Sequence, residues 1–434
     1  MKIEPPTGTA PGPDGPLANW LDYIERQHPQ AIAMGLDRVS IVRDRLGLVL
    51  AIPVIAVGGT NGKGSTCAML ESIAASAGYR TGLYTSPHLL AYNERVRIDR
   101  APVSDRQLCE AFVAVERARG GIALTYFEFG TLGAAWLFAR AGIDVAILEV
   151  GLGGRLDAVN AFDADCAIIT SIGLDHMDML GPTRESIGFE KAGIFRAGRP
   201  AVIAEPEPPA SMRDHARAIG TRWIQVGVDY HIESGGIQWR YSGPGGARSG
   251  LPYPALRGQY QLSNAAAAIT ALDTLRDRLP ISVNALREGL LTTQLSGRFQ
   301  VLPGRPMIIL DVAHNPHASE RLAGALGAMT EIGKTHAVFA MLRDKDIEGV
   351  VRAVKAQVDC WYLAPLPGVR GGGVQVLEAA LDSADVLDRV ECFESVAQAL
   401  RTAQSSARLD DRIVVFGSFL TVAQALEFLE RHAD

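Results

Sequence analysis

Lys63 stands in the run VGGTNGKGST, residues 57–66, directly after the apolar stretch AIPVIA. Gly58, Gly59, Gly62 and Gly64 let a backbone turn sharply and bring its N–H groups close to a polyphosphate. Lys63 adds a cation, and a helix beginning at Ser65 would point its positive end at the anion. The usual phosphate loop reads G-x-x-x-x-G-K-[ST]; here Val57 fills the first glycine's place and Gly64 separates the lysine from Ser65. The plainer alternative is a glycine-rich turn that only caps a helix. With four glycines, a lysine and two hydroxyls between a strand and a helix, phosphate binding is the better reading. The motif itself leaves kinase, GTPase and ligase open.

Other candidates sit where strands end. Glu149 follows the apolar run VAIL and precedes GLGG, and a carboxylate there, beside a phosphate loop, is placed to hold Mg²⁺. A strand-end acid paired with a nearby base is the alternative. Ser86 closes TGLYTS before Pro87, and His176 follows IITSIG. Taken singly, a strand-end serine or histidine is more simply a capping or packing residue. Lys191, in FEKAGIF, reads by itself as a solvated, salt-bridged lysine.

The elements that must position these groups are visible as short apolar runs: PVIAVGG (53–59), TGLYTS (81–86), DVAILEVG (144–151), DCAIITSIG (165–173) and PAVIAE (200–205). Between them lie helix-like stretches such as STCAMLESIAASAG, apolar at three- and four-residue spacing and closed by Gly78. Such alternation predicts an α/β fold with a mainly parallel, doubly wound sheet. The stretch SGPGGARSGLPYP, 242–254, is turn-rich and reads as a long surface loop. A second alternating series, MIILDVA, HAVFAML, CWYLAPL and RIVVFGSF, predicts a smaller Rossmann-like α/β domain. The expected organisation is a flexible leader at 1–16, a nucleotide-binding P-loop domain at 17–296 and the second domain at 297–434.

Composition narrows the partners. The 434 residues carry 42 basic and 48 acidic side chains, net −6, so no polycationic surface for nucleic acid is advertised. Five scattered cysteines without C-x-x-C argue against a disulfide framework and a zinc site, and suit a reducing cytosol. The leader's five prolines and three glycines lack the basic and apolar regions of a signal peptide. No apolar run approaches the ~20 residues a membrane span needs. A cytoplasmic protein is expected.

The unusual loop spelling GTNGKGST resembles that of the folylpolyglutamate synthase/dihydrofolate synthase family, relatives of the Mur ligases, in which a glycine after the lysine is normal. The resemblance extends through MGLDRV (34–39), LYTSPHL (83–89), LTYFEFGTL (124–132), ILEVGLGGRLDAVN (147–160), TSIGLDH (170–176), EKAGIF (190–195), SGRFQ (296–300), LDVAHNPHA (310–318), LRDKD (342–346) and FGSF (416–419). Within the family the blocks look most like the bifunctional bacterial type. Only the leader lies outside the match.

That resemblance implies roles residue by residue. Thr60, Asn61, Gly62, Lys63, Gly64 and Ser65, with Asn264, Arg298 and Asp311, match nucleotide contacts. Arg298 lies at the expected domain join and Asp311 ends the second domain's first strand, so domain closure to complete the site is expected. Ser86, Glu149 and His176 match magnesium ligands, although imidazole is an unusual partner for this hard ion. Lys191 matches a lysine that is carbamylated in the family and stands near a second metal, and with Lys63 and His176 it is a candidate catalytic group. Thr125, Tyr126, Phe127 and Glu128, together with Arg155, Leu156 and Asp157, match pterin contacts. The aromatic pair could stack on a flat heterocycle, although such pairs are more often core. The segment ERQHP, 25–29, would close over the pterin. His314 and Ser418 match the region that receives glutamate, and each could equally be a loop-stabilising hydrogen bonder.

The activity implied is ATP-dependent amide ligation of L-glutamate to 7,8-dihydropteroate and to reduced folates through an acyl phosphate. A folylpolyglutamate synthase alone, or a Mur-type cell-wall ligase, is the alternative. Mur ligases generally carry a further domain before the loop, and here only about 57 residues precede it. ATP and two Mg²⁺ ions are implied, with a monovalent cation as a further candidate; a monomer is expected, without nucleic-acid or membrane partners.

Overall fold

The computed structural model describes residues 9–330, 332–386 and 389–432. Residues 1–8 of the expected leader lie outside these. In its second half, Gly12 O accepts from Trp20 Nε1 (3.0 Å) and Gly15 O from Cys109 Sγ (3.6 Å). The chain divides into two compact units, Met1–Pro254 with Ser263–Thr293, and Ala255–Leu262 with Gln294–Asp434.

The first unit is built on an eight-stranded sheet: β1 (Val54–Gly58), β2 (Thr81–Tyr84), β3 (Val96–Ile98), β4 (Ala101–Pro102), β5 (Val145–Glu149), β6 (Cys166–Ile169), β7 (Pro200–Ile203) and β8 (Arg222–Gln225). Their order across the sheet is β4-β3-β2-β5-β1-β6-β7-β8. All neighbours are parallel except the β2–β3 and β3–β4 pairs. β1 and β5 are buried at every position, because strands at the centre of a parallel sheet are covered on both faces. That is why the sequence writes them as unbroken apolar runs. The order also matters for function. β1 lies between β5 and β6: the chain passes from β1 to β2 on one side and later from β5 across to β6 on the other, and the carboxyl ends beside such a reversal form a crevice.

The expected surface loop at 242–254 is corrected by the structure. β9 (His231–Ser234), β10 (Gln238–Gly243) and β11 (Gly246–Pro252) form an antiparallel three-stranded sheet. Glycine and serine there hide a hairpin: Gly246 turns at φ 97°, while Trp239, Tyr241 and Leu251 are buried. Composition pointed to a loop; packing of three large side chains decided otherwise.

The second unit carries β12 (Gln300–Leu302), β13 (Met307–Leu310), β14 (Thr335–Phe339), β15 (Cys360–Leu363), β16 (Val390–Cys392) and β17 (Arg412–Phe416) in the order β12-β13-β17-β14-β15-β16. Only β12 runs antiparallel to its neighbour. Its core packs Phe339, Trp361 and Phe416 of the sheet against the helices Pro316–Gly327, Ile347–Val354 and Val374–Asp382. Among the described residues no helix is long and apolar enough to cross a membrane.

Candidate active site

Four neighbouring strands, β2, β5, β1 and β6, deliver candidate residues from their carboxyl ends. After β1, Gly59 takes φ 144° and Gly62 φ 92°, and Gly62 caps the helix Lys63–Ser76, which includes Gly64 and the buried Ser65. A Cβ on Gly59 would lie 1.9 Å from Thr170 Oγ1, and one on Gly62 would lie 2.6 Å from Asn264 Oδ1. Glycine is therefore required twice over, by backbone angle and by space. Asn264 sits on the helix Gln261–Thr274, far away in sequence, and the structure brings it to the loop.

The loop is laced to the segment after β6. Thr60 N donates to Ser171 O (2.8 Å) and Thr60 Oγ1 to Gly173 O (3.1 Å). Asn61 O accepts from Thr170 Oγ1 (2.8 Å) and Ser171 Oγ (2.9 Å), and Asn61 N donates to Ser171 Oγ (3.1 Å). In the block TSIGLDH the sequence points only to His176 as a site residue. Thr170 and Ser171, two hydroxyls ending a strand, were the available signal for this scaffold.

Two lysines converge on one carbonyl. Lys63 Nζ donates to Gly59 O (3.1 Å) and Thr60 O (3.2 Å), while Lys191 Nζ donates to Gly59 O (2.8 Å). Lys191 is 5 % exposed, not solvated as its local sequence suggests. Burial, and then the Lys63 charge, lowers its ammonium to about 7, against the pull of Asp175 and Asp157.

Glu149 ends β5 in register with Val57 of β1, is 4 % exposed, and accepts from Ser86 N (3.0 Å). Ser86 and Glu149 are thus neighbours. His176 adopts a left-handed conformation (φ 52°), caps the short helix Met177–Leu180 and keeps its ring partly exposed, 3.9 Å from Asp175 Oδ1. A buried carboxylate beside a hydroxyl is hard-oxygen chemistry and fits a magnesium ion; the imidazole is the softer member. Among the described residues no three His, Cys, Asp or Glu side chains converge on one centre. The expected set includes a serine, which such a grouping omits.

The expected pterin residues divide. Thr125 caps the helix Tyr126–Ala141, accepting from Glu128 N (3.2 Å), and Glu128 Oε2 accepts from Thr125 N (2.7 Å). Glu128 also pairs with Arg38 (2.8 Å). Both therefore have structural work as a capping box and an ion pair. Tyr126 and Phe127 are half-buried; the Phe127 ring packs on Tyr84 (5.8 Å) and would meet a Cβ on Gly151 at 2.6 Å. Tyr126 stands edge-on to Tyr92 (5.6 Å). Arg155 is exposed and paired with Glu190 (2.8 Å), and Leu156 O accepts from Gly35 N (3.3 Å). Asp157 is buried; burial pushes its carboxyl up to about 7, although Leu152 and Val159 amides and the Lys63 charge favour the ionised form. In the ERQHP segment, Gln27 is buried and accepts from Arg119 (2.9 Å).

In the second unit, Asp311 follows β13 and accepts from Phe299 N and Ala313 N (both 2.8 Å). Burial raises its carboxyl pKa, while Arg298 and the two amides oppose the shift. Arg298 lies 4.9 Å from the Phe419 ring centroid, and the His314 ring lies 6.1 Å from the same phenyl. His314 Nδ1 is 2.8 Å from Val312 O. Ser418 caps the helix Phe419–Arg431, accepting from Thr421 N (3.0 Å). Tyr260 and Arg321, stacked at 5.5 Å, join this group without having been flagged by sequence; Tyr260 feels the charges of Asp311 and Arg298.

Residues 57–272 match the Mur ligase middle domain and residues 297–419 the Mur ligase glutamate ligase domain. The chain is 47% identical over 416 residues to the dihydrofolate synthase/folylpolyglutamate synthase of Escherichia coli K12, covering 96% of each. A structure described as E. coli FolC in complex with DHPP and ADP superposes with TM-score 0.93 at 47% identity, over 98% of this chain and 100% of that one. A bifunctional folylpolyglutamate synthase/dihydrofolate synthase with Mn, AMPPNP and L-glutamate bound superposes with TM-score 0.90 at 45% identity, over 97% and 100%.

Proposed function

The chain belongs to the dihydrofolate synthase/folylpolyglutamate synthase family of Mur-type ligases, and from that premise we propose how its own residues serve the reaction. It is an ATP-dependent amide ligase that joins L-glutamate to 7,8-dihydropteroate and extends reduced folates by the same chemistry. What supports the assignment of residues most directly is the convergence of a glycine-rich loop, two lysines and a buried glutamate at four adjacent strand ends.

A carboxylate is a poor electrophile because oxide is a poor leaving group. Its oxygen attacks the γ-phosphorus of ATP, giving an acyl phosphate and ADP. The glutamate amine then adds to the carbonyl carbon, and phosphate leaves with that oxygen. Charge on the transferring phosphoryl group is met by Lys63 and the loop amides, which Thr170 and Ser171 hold in place. Ser86, Glu149 and His176 would hold a divalent ion that neutralises phosphate charge. Lys191, once carbamylated, would offer oxygens to a second ion. Asn264, Arg298 and Asp311 would bind the nucleotide, with a monovalent cation as a further ligand of the site. Tyr126, Phe127 and Asp157 would take the pterin, with Thr125, Glu128, Arg155 and Leu156 around it, and His314 and Ser418 would receive glutamate. The enzyme acts as a cytoplasmic monomer.

The deciding assay follows ATP hydrolysis with dihydropteroate, tetrahydrofolate or a cell-wall precursor, each with and without L-glutamate. Glutamate-dependent turnover with both pterins and none with the precursor is expected. Turnover with tetrahydrofolate alone would remove the dihydrofolate synthase half.

A further inference from the structure

Arg95 has no part in the site as drawn so far, yet it stands beside it. It directly precedes β3, and its carbonyl accepts from the N–H of Thr85, the residue before Ser86 (2.9 Å). Its Nε donates to His88 Nδ1 (2.8 Å). Its guanidinium carbon lies 5.2 Å from the Tyr92 ring centroid and 5.5 Å from that of Tyr126. Among the described residues no carboxylate lies within ion-pairing distance of it. The adjacent Glu94 directs both its oxygens elsewhere, accepting from Leu89 and Leu90 N (2.8 Å each) and Ala91 N (2.7 Å). Of the other half-buried or buried arginines of this unit, Arg38, Arg97, Arg119 and Arg248 are matched to an acid, Glu128, Glu71, Glu116 and Asp273, and Arg100 donates its terminal NH₂ to Thr292 O (3.1 Å).

A guanidinium partly withdrawn from water and unmatched by an anion is costly, and the cost is recovered when a ligand brings one. The two rings flank the group and its Nε is engaged by His88, so the terminal NH₂ pair is left as a planar fork. That fork suits a carboxylate better than a point charge would. One face of this cluster is Tyr126, and the chain beside Arg95 leads to Ser86. On the functional reading above, these are a pterin contact and a metal ligand. We infer that Arg95 is a substrate-binding residue whose guanidinium takes a carboxylate of the pterin acceptor. The carboxylate is either the one on the benzoyl ring, which reacts, or one on an attached glutamyl tail.

The test titrates the full chain with pteroate, pteroate carboxamide and folate, using wild type, Arg95→Gln and Arg95→Lys, with ADP binding as the folding control. Wild type should prefer pteroate to its carboxamide by on the order of 10- to 100-fold, the range for a charge-assisted hydrogen bond. In Arg95→Gln that preference should disappear while carboxamide and ADP affinities hold, and Arg95→Lys should keep part of it. A loss confined to folate would also support the inference and assign the carboxylate to the tail. An undiminished preference in Arg95→Gln for both acids would overturn it, as would equal weakening of acid and carboxamide. A wild type that binds none of the three would overturn the functional reading itself, and the role of Arg95 with it.

Discussion

Lys191 shows what a single residue's neighbourhood adds to its identity. Nothing in FEKAGIF reveals burial; the lysine reaches Gly59 O from 132 residues away. Its folded pKa of about 7 lies below the ordinary 10.5, so between those values the unfolded chain holds a proton that the folded chain has released. The site's cost to stability is therefore full below about pH 7 and fades as pH rises towards 10.5. A neutral amine adds to CO₂ and yields a carbamate with loss of a proton, whereas an ammonium cannot. At fixed dissolved ¹³CO₂, a carbamate carbon resonance should grow as pH rises through about 7 and be absent in Lys191→Arg. No resonance at any pH would leave Lys191 as a cation only. Ser86, which by itself reads as a capping residue, is picked out only by the resemblance, whereas Glu149 was readable as a candidate at this scale because its place at a strand end beside the phosphate loop is a local signal. The same holds for Lys63. Tyr260 and Arg321 were not, since neither carries a motif.

At the scale of elements, the phosphate loop is shaped by its partner segment as much as by its own glycines. Gly59→Ala would place a methyl group against the Thr170 side chain and force an L residue to φ 144°. Strain at such a backbone angle costs about 1–3 kcal/mol before any clash. The substitution should lower Tm by several degrees and weaken ATP binding at least tenfold; adding Thr170→Ala should restore part of the Tm and little of the affinity. Calorimetry of the single and double variants checks this, and wild-type ATP affinity in Gly59→Ala would contradict it. The strands β1, β2, β5, β6 and β7 were legible because each is a short, mostly apolar run between helix-like stretches. β3 and β4, three and two residues long, were too short to leave a period. TYFE carried a second message, since Thr-x-x-Glu ahead of an apolar helix is a capping box, and Thr125 and Glu128 form one.

Over the whole molecule, the strand order is what turns scattered motifs into a site. The sequence supplies the loop at 57–66, Ser86, Glu149 and the TSIG segment in that order, but their adjacency follows from β2-β5-β1-β6, which depends on pairings of residues up to about 110 apart. No local pattern encodes that order. The central claim is that this assembly activates the acceptor carboxylate by phosphorylation. That oxygen must then leave with phosphate when the glutamate amine forms the amide. Dihydropteroate labelled with ¹⁸O in its carboxylate, incubated with the enzyme, ATP and L-glutamate, tests it by mass analysis of the released inorganic phosphate. One ¹⁸O per phosphate is the predicted result; unlabelled phosphate alongside normal amide product would contradict the acyl phosphate.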